Sequence, residues 1–264
     1  MDYQYILVDV KDRIATVTIN RPEYSNAFAR ESYFEIADAM NTLGAREDVG
    51  AIVITGAGKH FSAGGDIKRF KMLVDTGAYL KAEDIEAVSA MPMSIRNCPK
   101  PVIAMINGVA TGAGLSCALA CDFRIVEPSS KMIMAFVNMG LCGDNESIYT
   151  LMRLVGPDKA ELMMMTGDAY KGEQCVKTGL ATVLAEDGKL AETTYALAAK
   201  LASKSSTAHA GQKRLIRKYF YGGMENFAKV EGIEMAAASR QPDFTEAVNA
   251  FIEKRMPAYN LPHK

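Results

Sequence analysis

A chain of 264 residues with 31 acidic and 30 basic side chains carries a formal net charge of −1, which gives no electrostatic case for nucleic acid as a partner. Apolar residues make up 49% of it, enough for a sizeable core, and no apolar run approaches the roughly 20 residues that a membrane span needs. The opening MDYQYILVDV has no basic segment ahead of an apolar one, so no export signal is expected and a cytoplasmic location is. Cys98, Cys117, Cys121, Cys142 and Cys175 are odd in number and are expected as free thiols. Cys117 and Cys121 stand four apart with no histidine nearby in sequence, which favours core packing over a metal. The three histidines, His60, His209 and His263, have no context for a Ser/His/Asp triad.

In chain order, Tyr3–Val10 and Ile14–Ile19 read as two strands around a Lys11-Asp12-Arg13 turn. Asn26 and Ala27 precede an amphipathic helix over Arg30–Leu43, with Phe34, Ile36, Met40 and Leu43 on its apolar side. Ala51–Thr55 is a short β-rich run leading into a glycine-rich turn, Phe61-Ser62-Ala63-Gly64-Gly65-Asp66-Ile67. Asp66 stands where it can cap the helix that follows. Lys68 and Arg69 can face a ligand's phosphates or simply solvent. A helix over Ala78–Arg96 is expected to kink near Pro92. Val102–Ile106 has the β-branched content of a buried strand, and Thr111-Gly112-Ala113-Gly114 then opens a helix over Leu115–Cys121. The first amides of a helix lack partners within it, and small residues let a ligand oxygen approach them closely. Two such turns can direct one amide each at a single developing oxyanion.

Phe123–Val126 and Lys131–Phe136 read as strands, Gly140–Asn145 as a loop, and Glu146–Val155 and Asp158–Thr166 as helices. A strand follows near Thr182–Leu184. From Leu190 onward the period is helical throughout, over Leu190–Ser203, Thr207–Phe220, Met224–Ser239 and Asp243–Lys254. The division expected is a mixed α/β core over residues 1–200 and a helical C-terminal module over 201–264.

PVIAMINGVATGAG, with FSAGGDI upstream, CDFRI downstream, INRPEYSNA near the start and LMRLVGPDKAELMMMTG further on, resembles the crotonase superfamily, the enoyl-CoA hydratase/isomerase family. The likeness runs over nearly the whole chain. It implies an α/β fold with a ββα spiral core and a C-terminal helical module that packs between subunits of a homotrimer or a dimer of trimers. It also implies an acyl-CoA substrate, with coenzyme A as part of the substrate rather than a cofactor. The amides of Gly65 and Ala113 would form the oxyanion hole. Asn26, Ala63, Asp66, Ile67, Lys68 and Gly112 would border the acyl-CoA.

The resemblance breaks at the carboxylates. The two positions where the family's hydratases carry water-activating glutamates are Ser116 and Phe136 here. A phenylalanine carries no proton, and a serine is a poor base without an activator. Asp144 instead falls where dienoyl-CoA isomerases and 4-chlorobenzoyl-CoA dehalogenase place a working aspartate. The spacing of Asp144 also suits a helix N-cap. Glu146 could be a second acid in the pocket, dividing acid and base roles with Asp144, and Ser116 could orient water or substrate. The expected function is an acyl-CoA enzyme carrying out isomerisation, non-standard hydration or hydrolysis through these residues. The alternative is a member of the family that binds acyl-CoA, or serves as a scaffold, without catalysis.

Overall fold

The computed structural model describes residues 2–259. It begins with a hairpin of β1 (Ile6–Lys11) and β2 (Ile14–Ile19), turned at Asp12 and Arg13, which both have positive φ. The ladder starts three residues later than the sequence suggests, because the Gln4 and Tyr5 amides donate to the Glu35 carboxylate (2.9 and 2.8 Å). Glu35 lies on α1 (Arg30–Ala45). β2 then pairs in parallel with β3 (Ala51–Gly56), β3 with β4 (Val102–Met105), and β4 with β6 (Phe123–Val126). β9 (Val183–Leu184) closes that edge of the six-stranded sheet.

Strands covered on both faces should read as continuous apolar runs, and β3 does, with every residue buried. Its alternate side chains serve two cores. Ile52 and Ile54 join α1 and α4 (Ala90–Asn97) in the larger one, whereas Ala51 and Val53 pack with Leu190, Ala198 and Ala202 of α9 (Leu190–Ala202).

A second, three-stranded sheet holds β5 (Val109–Thr111), β7 (Lys131–Ile133) and β8 (Ala169–Lys171). β5 is too short, between Gly108 and Gly112, to announce itself in the sequence. β7 ends at Ile133 rather than Phe136 because its partner β8 is only three residues long. The strand–strand–helix order of β4, β5 and α5 (Ala113–Ala120) is the ββα unit of the α/β fold that the resemblance implied.

The expected helix over 78–96 is two helices, α3 (Ala82–Val88) and α4, parting at Ser89 rather than at Pro92. Pro92 sits in the first turn of α4, where an amide has no intrahelical partner to lose. After α6 (Ser147–Val155), α7 (Pro157–Thr166) and α8 (Gly172–Thr178) come α10 (Ser206–Tyr219), α11 (Met224–Ala238) and α12 (Pro242–Glu253). α11 packs against α3, and α12 against α2 (Ile67–Thr76). Gly232 permits the first contact, since a Cβ there would stand 3.1 Å from the Ala82 carbonyl. The part of the C-terminal expectation that falls on residues 260–264 lies outside the described residues. None of the described helices is long and apolar enough to cross a membrane.

Candidate active site

A cavity of about 420 Å³ opens between the two glycine turns on one side and α2, α3, α11 and α12 on the other. Its floor is backbone. Gly64 has φ +86°, and a Cβ on it would lie 2.7 Å from the Thr111 carbonyl oxygen and 3.2 Å from the Ala113 nitrogen. The two turns can touch only because that side chain is missing. Gly112, at φ 51° and ψ −129°, turns the chain into α5 with Ala113 as its first residue. Gly65 and Ala113 both line the cavity, and among the described residues neither amide donates to a protein group. Unpaired backbone N–H groups on two adjoining turns are donors of the kind that can stabilise a developing oxyanion.

Ala63, Asp66, Ile67 and Gly112 line the same space. Asp66 is also structural: it caps α2 by accepting from the Lys68 amide (2.9 Å) and pairs with Arg21 (3.0 Å). Phe28, Leu80, Ile85, Val88 and Met235 give the cavity an apolar wall suited to an acyl chain.

Asp144 lines the cavity at 7% exposure. It does not cap the following helix. α6 starts at Ser147, the cap position is Glu146, and no side chain caps it. Two successive left-handed residues, Asn145 (φ 54°) and Glu146 (φ 52°), carry the chain between Asp144 and the helix and take the aspartate side chain out of capping range. Burial pushes the Asp144 carboxyl up to about 6, with Asn145 and the Arg69 charge pulling the other way. Oδ1 has no hydrogen-bond partner among the described residues. Two other acids line the cavity, but Asp66 is paired with Arg21 and Asp84 with Arg30 (3.1 Å).

Four residues expected at the site do not line the cavity. Asn26 is fully buried in the turn beneath it. Its Oδ1 accepts from the Arg21 amide (2.9 Å) and its Nδ2 donates to the Ala57 and His60 carbonyls (2.8 and 2.6 Å), so both of its donors and one acceptor site are spent on backbone. Lys68 points to the Tyr24 ring, with Nζ 4.4 Å from the centroid. The Ser116 hydroxyl faces the Gly112 and Asp144 carbonyls (3.2 and 3.3 Å) instead of the open space. Glu146, with φ 52°, is fully buried and does not line the cavity. Phe136 does line the cavity, where it presents a ring at a position from which the hydratases of the resemblance present a carboxylate.

Sequence reasoning missed Tyr33, Met235 and Glu231. Tyr33 lines the cavity, and its hydroxyl is pushed well above its ordinary value by burial and then by the Asp144 charge. No local motif marks these residues. The acidic Glu231 on the buried face of α11 was the only available sign, as a charge among Ala228, Gly232 and Met235. Among the described residues no group of His, Cys, Asp and Glu is arranged to hold a metal ion.

The family model for enoyl-CoA hydratase/isomerase matches residues 9–261. A trans-2-decenoyl-(acyl-carrier-protein) isomerase from Streptococcus mutans is 31% identical over 98% of this chain and 99% of its own length. A 1,2-epoxyphenylacetyl-CoA isomerase from Escherichia coli is 30% identical over 97% and 98%. Among solved structures, an enoyl-CoA hydratase from Mycobacterium avium subsp. paratuberculosis superposes with a TM-score of 0.88 at 26% identity, covering 98% of this chain and all of that one.

Proposed function

The chain belongs to the enoyl-CoA hydratase/isomerase family, and from that premise we propose that it is an isomerase that moves a carbon–carbon double bond within an acyl thioester. The observation that carries this reading is Asp144, the cavity's one carboxyl without an arginine partner among the described residues, standing in the same space as the Gly65 and Ala113 amides. The Asp144 carboxylate takes a proton from the carbon next to the thioester or from the γ-carbon. The electron pair moves toward the carbonyl oxygen, where the two amides stabilise the dienolate. The same proton returns from Asp144 to the other carbon, so the product has the substrate's mass. An acid whose ordinary value has moved up to about 6 is matched to giving and taking a proton near neutrality.

Hydration needs a second group to hold and activate water. Ser116 is turned to backbone carbonyls and Phe136 offers a ring, which argues against that route. Two of the similar proteins are named isomerases, and one of them acts on a carrier-protein thioester by name, so the thioester carrier is coenzyme A or acyl carrier protein. No cofactor is required. The reading includes assembly as a trimer or a dimer of trimers, with the helices after residue 200 forming the contact module. Exposed Leu215, Ile216, Tyr219 and Phe220 around the end of α10 support that contact.

The test is product analysis with 2-enoyl and 3-enoyl thioesters of medium chain length. Isomerisation gives a product of unchanged mass and a moved double bond. A product heavier by one water overturns the isomerase reading, and binding without conversion across the panel favours a non-catalytic thioester-binding role.

A further inference from the structure

Near Asp144, but outside the cavity lining, the fold buries two more acids from different parts of the chain. Glu231, on α11, is 4% exposed, and Glu146 is fully buried. The Glu146 backbone N–H donates to Glu231 Oε2 at 2.7 Å. The Ile148 amide also favours the charged form of Glu231. Both amides belong to the start of α6, whose first donors have no partners within the helix. Since no local side chain caps α6, a carboxyl 85 residues further on fills that role from another helix.

The same contact holds the strained part of the site. Asn145 and Glu146 are consecutive non-glycine residues in the left-handed region, which side chains disfavour. The backbone bonds on this turn are the Ser147 amide to the Asp144 carbonyl (3.1 Å) and the Thr150 amide to the Glu146 carbonyl (3.0 Å). Neither holds the Glu146 amide, so Glu231 is what fixes the peptide that aims Asp144 at the cavity.

We infer that Glu231 is the positioning residue for Asp144, acting through the Glu146 amide that its carboxyl accepts. This rests on the reading of Asp144 as the acid–base group. Neither glutamate has an ion-pair partner among the described residues. Burial pushes Glu146 up to about 8, the Asp144 and Glu225 charges add to this, and Ser89 and Arg217 oppose it. Glu231 is pushed well up by burial and then by the Asp144 and Glu146 charges. Facing the cluster from the other elements are Arg69 on α2, Tyr33 on α1 and Cys142 on the same loop.

The test uses the full-length protein and two substitutions. Glu231→Gln keeps an acceptor for the Glu146 amide and removes the charge. Glu231→Ala removes both. The alanine variant should lower kcat by on the order of 10- to 100-fold, with KM within about twofold, because a small misplacement of a reacting group is costly. Glutamine should restore most of kcat. Amide hydrogen exchange of the unliganded wild type reads the contact without reference to turnover, and the Glu146 N–H should be protected. A Glu146 amide that exchanges as fast as an unbonded one overturns the inference, even where Glu231→Ala fails to fold, and so does a folded Glu231→Ala with the wild-type kcat. Full activity of Asp144→Asn would instead remove the catalytic reading and leave the exchange result standing.

Discussion

The Ser116 hydroxyl, one turn into the helix that begins with Ala113, lies 3.3 Å from the backbone carbonyl of Asp144. It joins the helix that begins with the Ala113 amide to the loop that carries Asp144. A serine has one hydrogen to give, and the Gly112 carbonyl at 3.2 Å competes for it. The bond therefore positions rather than anchors. Ser116→Ala should cost about 1 kcal/mol of stability and lower kcat a few-fold with KM unchanged. Steady-state kinetics alongside denaturant unfolding check both. A rise in KM that matches the fall in kcat/KM would show that Ser116 touches substrate instead.

Asp144→Asn keeps the shape of the side chain and removes its proton chemistry. Turnover should fall on the order of 10²–10⁴-fold, with thioester affinity by calorimetry nearly unchanged. In the wild type, the carboxylate must be ionised to take a proton. With its value moved up to about 6, kcat/KM should rise through that pH and level off above it. A profile flat from pH 5 to 7 would remove Asp144 as the base.

Glu146 gives a stability prediction of opposite sense to the usual paired carboxylate. Its folded-state value, about 8, lies above the value of an exposed glutamate, so the folded protein holds the proton more tightly than the unfolded chain. This contribution is fully present below about pH 4.5 and is lost as pH rises through about 8. Unfolding free energy at pH 9 should accordingly rise in Glu146→Gln relative to the wild type, by on the order of a few kcal/mol. At pH 5 the two should be nearly equal. Chemical denaturation at the two pH values decides it.

Asn26 should behave as a fold residue. Replacing it by alanine strands the Arg21 amide and the Ala57 and His60 carbonyls inside the fold. The expected loss is about 2–4 kcal/mol, seen as a lower denaturation midpoint. Thioester affinity should change only through loosening of the turn that leads to Gly65. A large affinity loss at unchanged stability would return Asn26 to the binding site.

The contrast between Asn26 and Gly65 shows what the sequence could convey. Backbone donors are legible because they need small residues after a strand and before a helix, and that pattern is written locally in Gly64-Gly65 and Gly112-Ala113. The long helices and buried strands are legible for the same reason, from their periodicity and apolar runs. The destination of a polar side chain is different. Asn26, Lys68 and Glu146 sit beside site residues in sequence, yet none lines the cavity, and Asn26 and Lys68 are held by partners distant in the chain. Glu231 shows the converse, since its partner lies 85 residues earlier and no spacing rule points to it. Likewise β5 and the break at Ser89 depend on neighbours that only the folded chain supplies.

Cys117 lies on α5, the helix that carries the Ala113 amide, Cys121 follows it as the C-cap, and neither is exposed. Burial pushes Cys117 well up and Cys121 up to about 12, so in the native chain both resist alkylation. Their rate of modification becomes a clock for the opening of that helix. Because the reagent reaches them only when α5 lifts from the sheet, a bound thioester that clamps the Ala113 end should slow the clock without touching either sulfur.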